Sequence, residues 1–167
     1  MITLCPCGSG TALSECCEPY IARVKIAPTA EKLMRSRFTA FCQGAVEYLI
    51  ETHHPSAQSA NERAETQQSI AGTEWLHLTI VETSKGREND TEGHVQFAAA
   101  YRKKSLPLLS PNPAAKTEVG QMHERSFFVR EGGQWFYVDG DQLPPHKTQR
   151  NAPCWCGSGK KTKQCHS

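Results

Sequence analysis

The chain has no apolar run approaching the roughly 18 residues that a membrane helix needs, so a membrane-spanning helix is excluded. Its first residues, Met1-Ile2-Thr3-Leu4-Cys5, carry neither a basic stretch nor an apolar core. No export signal is expected there, and a cytoplasmic setting follows as the expectation. Charge of one sign is scarce too: 19 Lys and Arg against 17 Asp and Glu leave +2, too little to imply a polyanion partner by itself. There is no P-loop, G-x-S-x-G elbow, H-E-x-x-H pair or dinucleotide fingerprint, and no C-x-x-C. These absences remove the common nucleotide, hydrolase, metalloprotease and thiol-redox motifs. What remains is 167 residues, enough for one globular domain with small appendages, with six Phe, four Tyr and three Trp to build a core.

Cysteine is the residue in excess. Seven of the eight lie at the two ends: Cys5, Cys7, Cys16 and Cys17, then Cys154, Cys156 and Cys165. The first end reads C-x-C-x8-C-C and the second C-x-C-x8-C-H, closing on His166, with a constant offset of 149 residues. Gly8-Ser9-Gly10 and Gly157-Ser158-Gly159 repeat at the same offset. Four thiolate or imidazole donors in a tight loop suit a tetrahedral zinc ion, and mostly sulfur donors disfavour magnesium or calcium. The competing uses are a disulfide framework, which lacks an export signal, and an iron–sulfur cluster, whose usual spacings fit C-x-C and histidine poorly.

The segment from Cys154 to His166 resembles the SEC-C motif, the zinc-binding tail of the SecA preprotein-translocase motor. Cys5 to Cys17 follows the same pattern. The resemblance implies two zinc ions per chain, one on Cys5, Cys7, Cys16 and Cys17, the other on Cys154, Cys156, Cys165 and His166. Trp155 stands where proline is usual, and Thr11-Ala12-Leu13 replaces a basic sequence in the first copy. That copy is therefore expected to keep the metal but not the same partner.

Between the ends, Thr29 reads as the N-cap of a helix with Leu33, Met34, Phe38, Phe41 and Cys42 on one apolar face, broken at Gly44. Cys42 is expected in the core. A second short helix through Val46, Leu49 and Ile50 ends at His53-His54, where the imidazoles are expected to meet the last carbonyls. Residues 58–71 read as a third helix. The period then turns to two. Leu76, Leu78 and Ile80 alternate with Trp75, His77, Thr79 and Val81, and Val95, Phe97, Ala99 and Tyr101 form the next face. Gly132-Gly133 marks a tight hairpin placing Phe127, Val129, Phe136 and Val138 on one face and Ser126, Phe128, Arg130, Trp135, Tyr137 and Asp139 on the other. His123 and Glu124 point to opposite faces. The expected fold is α+β, helices packed on a curved antiparallel sheet.

That order resembles the NTF2-like (cystatin-like) cone. The whole chain resembles the YchJ family of uncharacterised bacterial proteins, through Glu31 to Phe38, His123 to Phe127 and Gly133 to Gly140. The expected organisation is a zinc knuckle over 1–18, a connector over 19–28, an NTF2-like domain over 29–143, a Pro-rich linker over 144–152 and a second knuckle over 153–167. From Pro144 onward there are five basic residues and no acid, three of them (Lys160, Lys161 and Lys163) on the second knuckle. The expected role is docking on an acidic macromolecule; the SecA resemblance implies a secretion chaperone such as SecB, or the ribosome. Sequence-specific nucleic-acid reading is not expected, because only Trp155 can stack on a base there. The rival reading is an enzyme or small-ligand binder using the cone, with the knuckles for targeting; the residues favour the non-enzymatic one.

Overall fold

The structure is a computed structural model that describes residues 3–104 and 119–166. Helix α1 spans Glu18–Ile21, α2 Ala30–Gln43, α3 Val46–Glu51 and α4 Glu62–Gly72. The Thr29 hydroxyl accepts from Lys32 N at 3.2 Å to open α2, and Gly44, at φ 73°, closes it in the left-handed conformation that favours glycine. The third helix starts later than residue 58. Residues Pro55–Ala57 form a 3-10 turn, and the Gln58 amide is engaged with the carbonyls of Ile50 and His53.

Strands β1 (Thr73–Lys85), β2 (Glu92–Lys103), β3 (Val119–Glu131) and β4 (Gln134–Gln142) form one antiparallel sheet in the order β1-β2-β3-β4. Gly132 and Gly133, both at positive φ, make the β3–β4 turn. The helices pack against one face of this meander, so the molecule is α+β as the sequence implies.

Three register irregularities depart from strict alternation, one of them at Val81, between Ile80 and Glu82 of β1. A bulge between Trp75 and His77 lets Trp75 join Leu78 and Ile80 against the core, in place of Leu76, while His77 keeps the expected outer face, opposite Ala100. The irregularity at Val138 pairs Asp139 with Phe127, so Asp139 leaves the face it was expected to share with Trp135 and Tyr137. A one-residue slip reverses every side chain beyond it, and periodicity alone does not reveal such slips.

Helix α2 is buried on more than one side. Phe38 meets Trp75 edge-on at 6.0 Å, while Ser36 lies 2.6 Å from the Tyr48 hydroxyl and Thr39 3.6 Å from Cys5 Sγ. Arg37 donates to Leu49 O and Thr52 Oγ1, both at 2.7 Å, and lies over the Tyr137 ring. Cys42, expected in the core, is exposed. It is nine residues from Leu33, about half a turn out of phase with it. His53 does not cap α3: its ring bridges Glu62 Oε1 at 2.7 Å and Val138 O at 3.1 Å.

The segments flanking the domain are fastened to it. The Trp135 indole donates to Pro28 O, and Leu143 N to His123 O at 2.8 Å. Gln121 exchanges two hydrogen bonds with the His146 backbone, and the His123 ring bonds Pro144 O. The Pro-rich segment that reads as a linker therefore lies on the outer face of β3.

Candidate metal centres

Each terminal loop is built by the same hydrogen bonds. Cys5 N donates to Thr11 O at 2.9 Å and Cys154 N to Lys160 O at 2.8 Å; Leu13 N donates to Thr3 O and Thr162 N to Ala152 O, both at 2.9 Å. Gly8 and Gly157 take φ of 74° and 75°, and Gly10 and Gly159 76° and 75°. Glycine is needed at these positions to fold the C-x-C loop back on itself. A single 3-10 turn, Leu13–Glu15 in one loop and Thr162–Gln164 in the other, then returns the last two donors.

The result is two four-donor sets. The ligating atoms of Cys5, Cys7, Cys16 and Cys17 lie within 4.8 Å of one another, and so do those of Cys154, Cys156, Cys165 and His166. Cys7 and Cys16 sulfurs are 3.6 Å apart, Cys156 and Cys165 sulfurs 3.5 Å, and Cys154 Sγ lies 3.2 Å from His166 Nδ1. All eight residues are thus brought together in the two predicted groups, each able to hold a metal ion.

The charge balance of the sets fits a cation. A hydrogen bond from Cys17, opposed by burial, pulls the Cys7 thiol down to about 4. The same hydrogen bond, to Cys7, together with burial pushes Cys17 up. In the second set burial pushes Cys154 up to about 11. Burial opposes ionisation of Cys156 too, but hydrogen bonds to Ser158 and Cys165 outweigh it and lower that thiol. Each set stabilises one thiolate and resists the next, the behaviour of crowded like charges. A bound dication removes that resistance.

Groups around the donors were less visible in the sequence. Ser9 Oγ lies 3.2 Å from Cys16 Sγ, and Ser158 Oγ 3.2 Å from Cys165 Sγ, so the repeated serine serves a sulfur in each loop. Its repetition at the 149-residue offset was the available signal. The first set also receives Thr39 and Arg35 from α2: Thr39 Oγ1 reaches Cys5, and Arg35 donates to Cys7 O at 2.9 Å. Such outer contacts orient ligands and tune a metal site.

The two sets differ in surroundings. Cys5, Cys7, Cys16 and Cys17 are all buried and belong to the core cluster with Leu33, Phe38 and Leu49. In the second set only Cys154 is buried. The N-terminal knuckle is therefore not a free appendage but a part of the domain interior.

The domain also contains a cavity of about 250 Å³ between α2 and the sheet. It is lined by Phe38, Phe41, Trp75 and Phe97 together with Arg37, Glu124, Ser126 and Tyr137. Glu124 already accepts from Ser126 at 2.7 Å and Gln142 at 2.6 Å, while His123 faces outward as the alternation required.

This arrangement of a mixed domain between two like cysteine loops is matched by known proteins. Residues 29–140 match the middle NTF2-like domain of YchJ, and residues 3–19 and 150–167 each match the SEC-C motif. The chain belongs to the YchJ family. Its relatives include a UPF0225 protein of Photorhabdus laumondii, 42% identical over 170 residues and 99% of both chains. A UPF0225 protein of Pectobacterium carotovorum is 44% identical over 161 residues, 96% of each. Among solved structures, a SEC-C motif containing protein from Rhodopseudomonas palustris superposes with a TM-score of 0.68 at 26% identity, covering 84% of this chain and 98% of that one. Another from Psychrobacter arcticus gives 0.61 at 25% identity, covering 96% and 93%. Among the described residues no helix is long and apolar enough to cross a membrane.

Proposed function

We propose that the chain holds one zinc ion in each four-donor set and uses its C-terminal knuckle to dock on an acidic macromolecular partner in the cytoplasm. Zinc is favoured because four sulfur donors, or three with an imidazole, at tetrahedral spacing suit a borderline-soft ion without redox chemistry. Eight cysteines without disulfides fit a reducing compartment. The observation that carries the docking role is the asymmetry of the two knuckles. One is seated in the domain interior, whereas the other presents Lys160, Lys161 and Lys163, all exposed. Its four donors then act structurally, and the lysines supply the long-range attraction that speeds encounter with an acidic surface. The SecA-tail resemblance makes a SecB-like chaperone or the ribosome the partners to test.

The test is capture of purified chaperone and of ribosomes by the immobilised protein over a salt series. Replacing all three lysines by glutamate lowers capture at least tenfold, mainly through association rate, with metal content unchanged. Capture equal to wild type by the triple variant contradicts the role.

One observation favours a second reading, ligand binding in the cone: the cavity is lined by both aromatic and polar side chains. Its volume of about 250 Å³ falls just below the range of about 300–1,000 Å³ for ligand pockets, and Glu124 and Arg37 are already partnered internally. Docking is the better supported.

A further inference from the structure

The two knuckles share one backbone, so residues that differ between them are not required for that fold. Pro6 in the first corresponds to Trp155 in the second, and Ser14 to Lys163. Both replacements line a groove of about 780 Å³ that the second knuckle forms with the segment lying on β3. His146, Lys147 and Arg150 come from that segment. No acidic residue lines the groove among the described residues. The Trp155 ring packs on that of His166 with centroids 4.7 Å apart, which holds the indole as a fixed platform. An aromatic platform ringed by three cations is complementary to a ligand with one apolar group among negative charges.

We propose that this groove binds an extended acidic peptide segment whose single aromatic or large aliphatic side chain seats on Trp155, flanked by carboxylates on Lys147, Arg150 and Lys163. It rests on the docking reading above and adds the recognition element: charge brings the partner in, and the apolar anchor selects it. A peptide fits better than single-stranded nucleic acid. Strand-binding proteins stack successive bases on several aromatic platforms, whereas one anchor in one pocket is the usual pattern of a peptide hot spot.

The experiment uses the full-length zinc-loaded protein and two labelled acidic heptapeptides, one with a central Phe and one with a central Gly, read by fluorescence anisotropy. The Phe peptide is expected to bind about tenfold tighter, which is about 1.4 kcal/mol. Trp155→Pro, which restores the residue of the first knuckle, removes that preference and leaves zinc content unchanged. Arg150→Glu, outside the knuckle, weakens both peptides several-fold and serves if the Pro variant misfolds. Lys160→Glu with Lys161→Glu, outside the groove, weakens both and keeps the preference. Equal binding of the two peptides, or a preference that survives Trp155→Pro, overturns the groove but leaves charge-driven docking standing. No binding of either peptide at low salt overturns both. Tighter binding of a single-stranded oligonucleotide of equal charge overturns the peptide assignment.

Discussion

Gly8 and Gly157, 149 residues apart and equivalent in the two knuckles, close on the side chain of the same residue, His77 of β1. A Cβ on Gly157 would stand 2.7 Å from His77 Cβ, and one on Gly8 3.6 Å from the ring and 3.1 Å from Leu78 O. Both ends of the chain are thereby anchored on one strand at the sheet edge, where an uncovered strand invites pairing with another chain. The opposite edge is covered as well, by Tyr137 N to Thr52 O at 2.9 Å and His54 N to Tyr137 O at 2.7 Å.

This contact predicts a difference between two otherwise similar substitutions. Gly159→Ala meets nothing within 4 Å, so it should cost only the left-handed backbone penalty, roughly 1–2 kcal/mol. Gly157→Ala has the same φ and also strikes His77. It should release the C-terminal metal measurably faster to a chelator than Gly159→Ala does. Equal release rates would mean that the His77 contact does not hold the knuckle.

His77 itself gives a pH dependence. Burial lowers its pKa in the folded protein, so the unfolded chain binds the extra proton more readily. Stability is then greatest above the ordinary histidine value near 6.5 and declines as pH falls below it toward the folded-state value. His94 and His146 are lowered in the same direction, by burial first. His77→Gln should flatten part of the decline in denaturant midpoints between pH 7 and pH 5. An unchanged profile would remove His77 from the acid response.

Much of this was legible because it is local. The knuckles appear as a spacing repeated with its glycines, α2 as a threonine cap and a closing glycine, and the last hairpin as Gly132-Gly133. What was hidden is tertiary. Ser36, Arg37 and Thr39 lie outside the apolar face read for α2, yet all three are buried because α3 and the N-terminal knuckle pack there. A sequence shows that a helix has a polar stripe, not that Tyr48, Leu49 O and Cys5 will satisfy it. The irregularities at Leu76, Val81 and Val138 were equally silent, because an extra residue leaves the amino-acid types unchanged.

Arg37 should be one of the least replaceable residues of the domain. Arg37→Met keeps most of the volume but leaves the Leu49 carbonyl and Thr52 hydroxyl without this donor, a loss of roughly 2–4 kcal/mol in urea unfolding. Arg37→Lys should recover little, because an ammonium cannot reproduce the planar fork over Tyr137. Recovery to within about 0.5 kcal/mol would mean that charge alone matters there.

The different burial of the two metal sets predicts an order of loss. Chelator should strip the C-terminal site first, with the sheet intact by circular dichroism. The N-terminal site should follow only with unfolding of the domain, since its sulfurs are core atoms. Cys165→Ser should therefore leave the melting temperature of the domain nearly unchanged, and Cys16→Ser should lower it by many degrees. Equal effects would make the two sites energetically alike despite their surroundings.

The most direct test is elemental analysis of protein purified under reducing conditions without chelator, with sulfhydryl titration in parallel. Two zinc ions per chain are expected, falling to one in either Cys16→Ser or Cys165→Ser. A ratio near zero, with the terminal cysteines free to react or paired as disulfides, would contradict the two-centre structure on which the docking role rests.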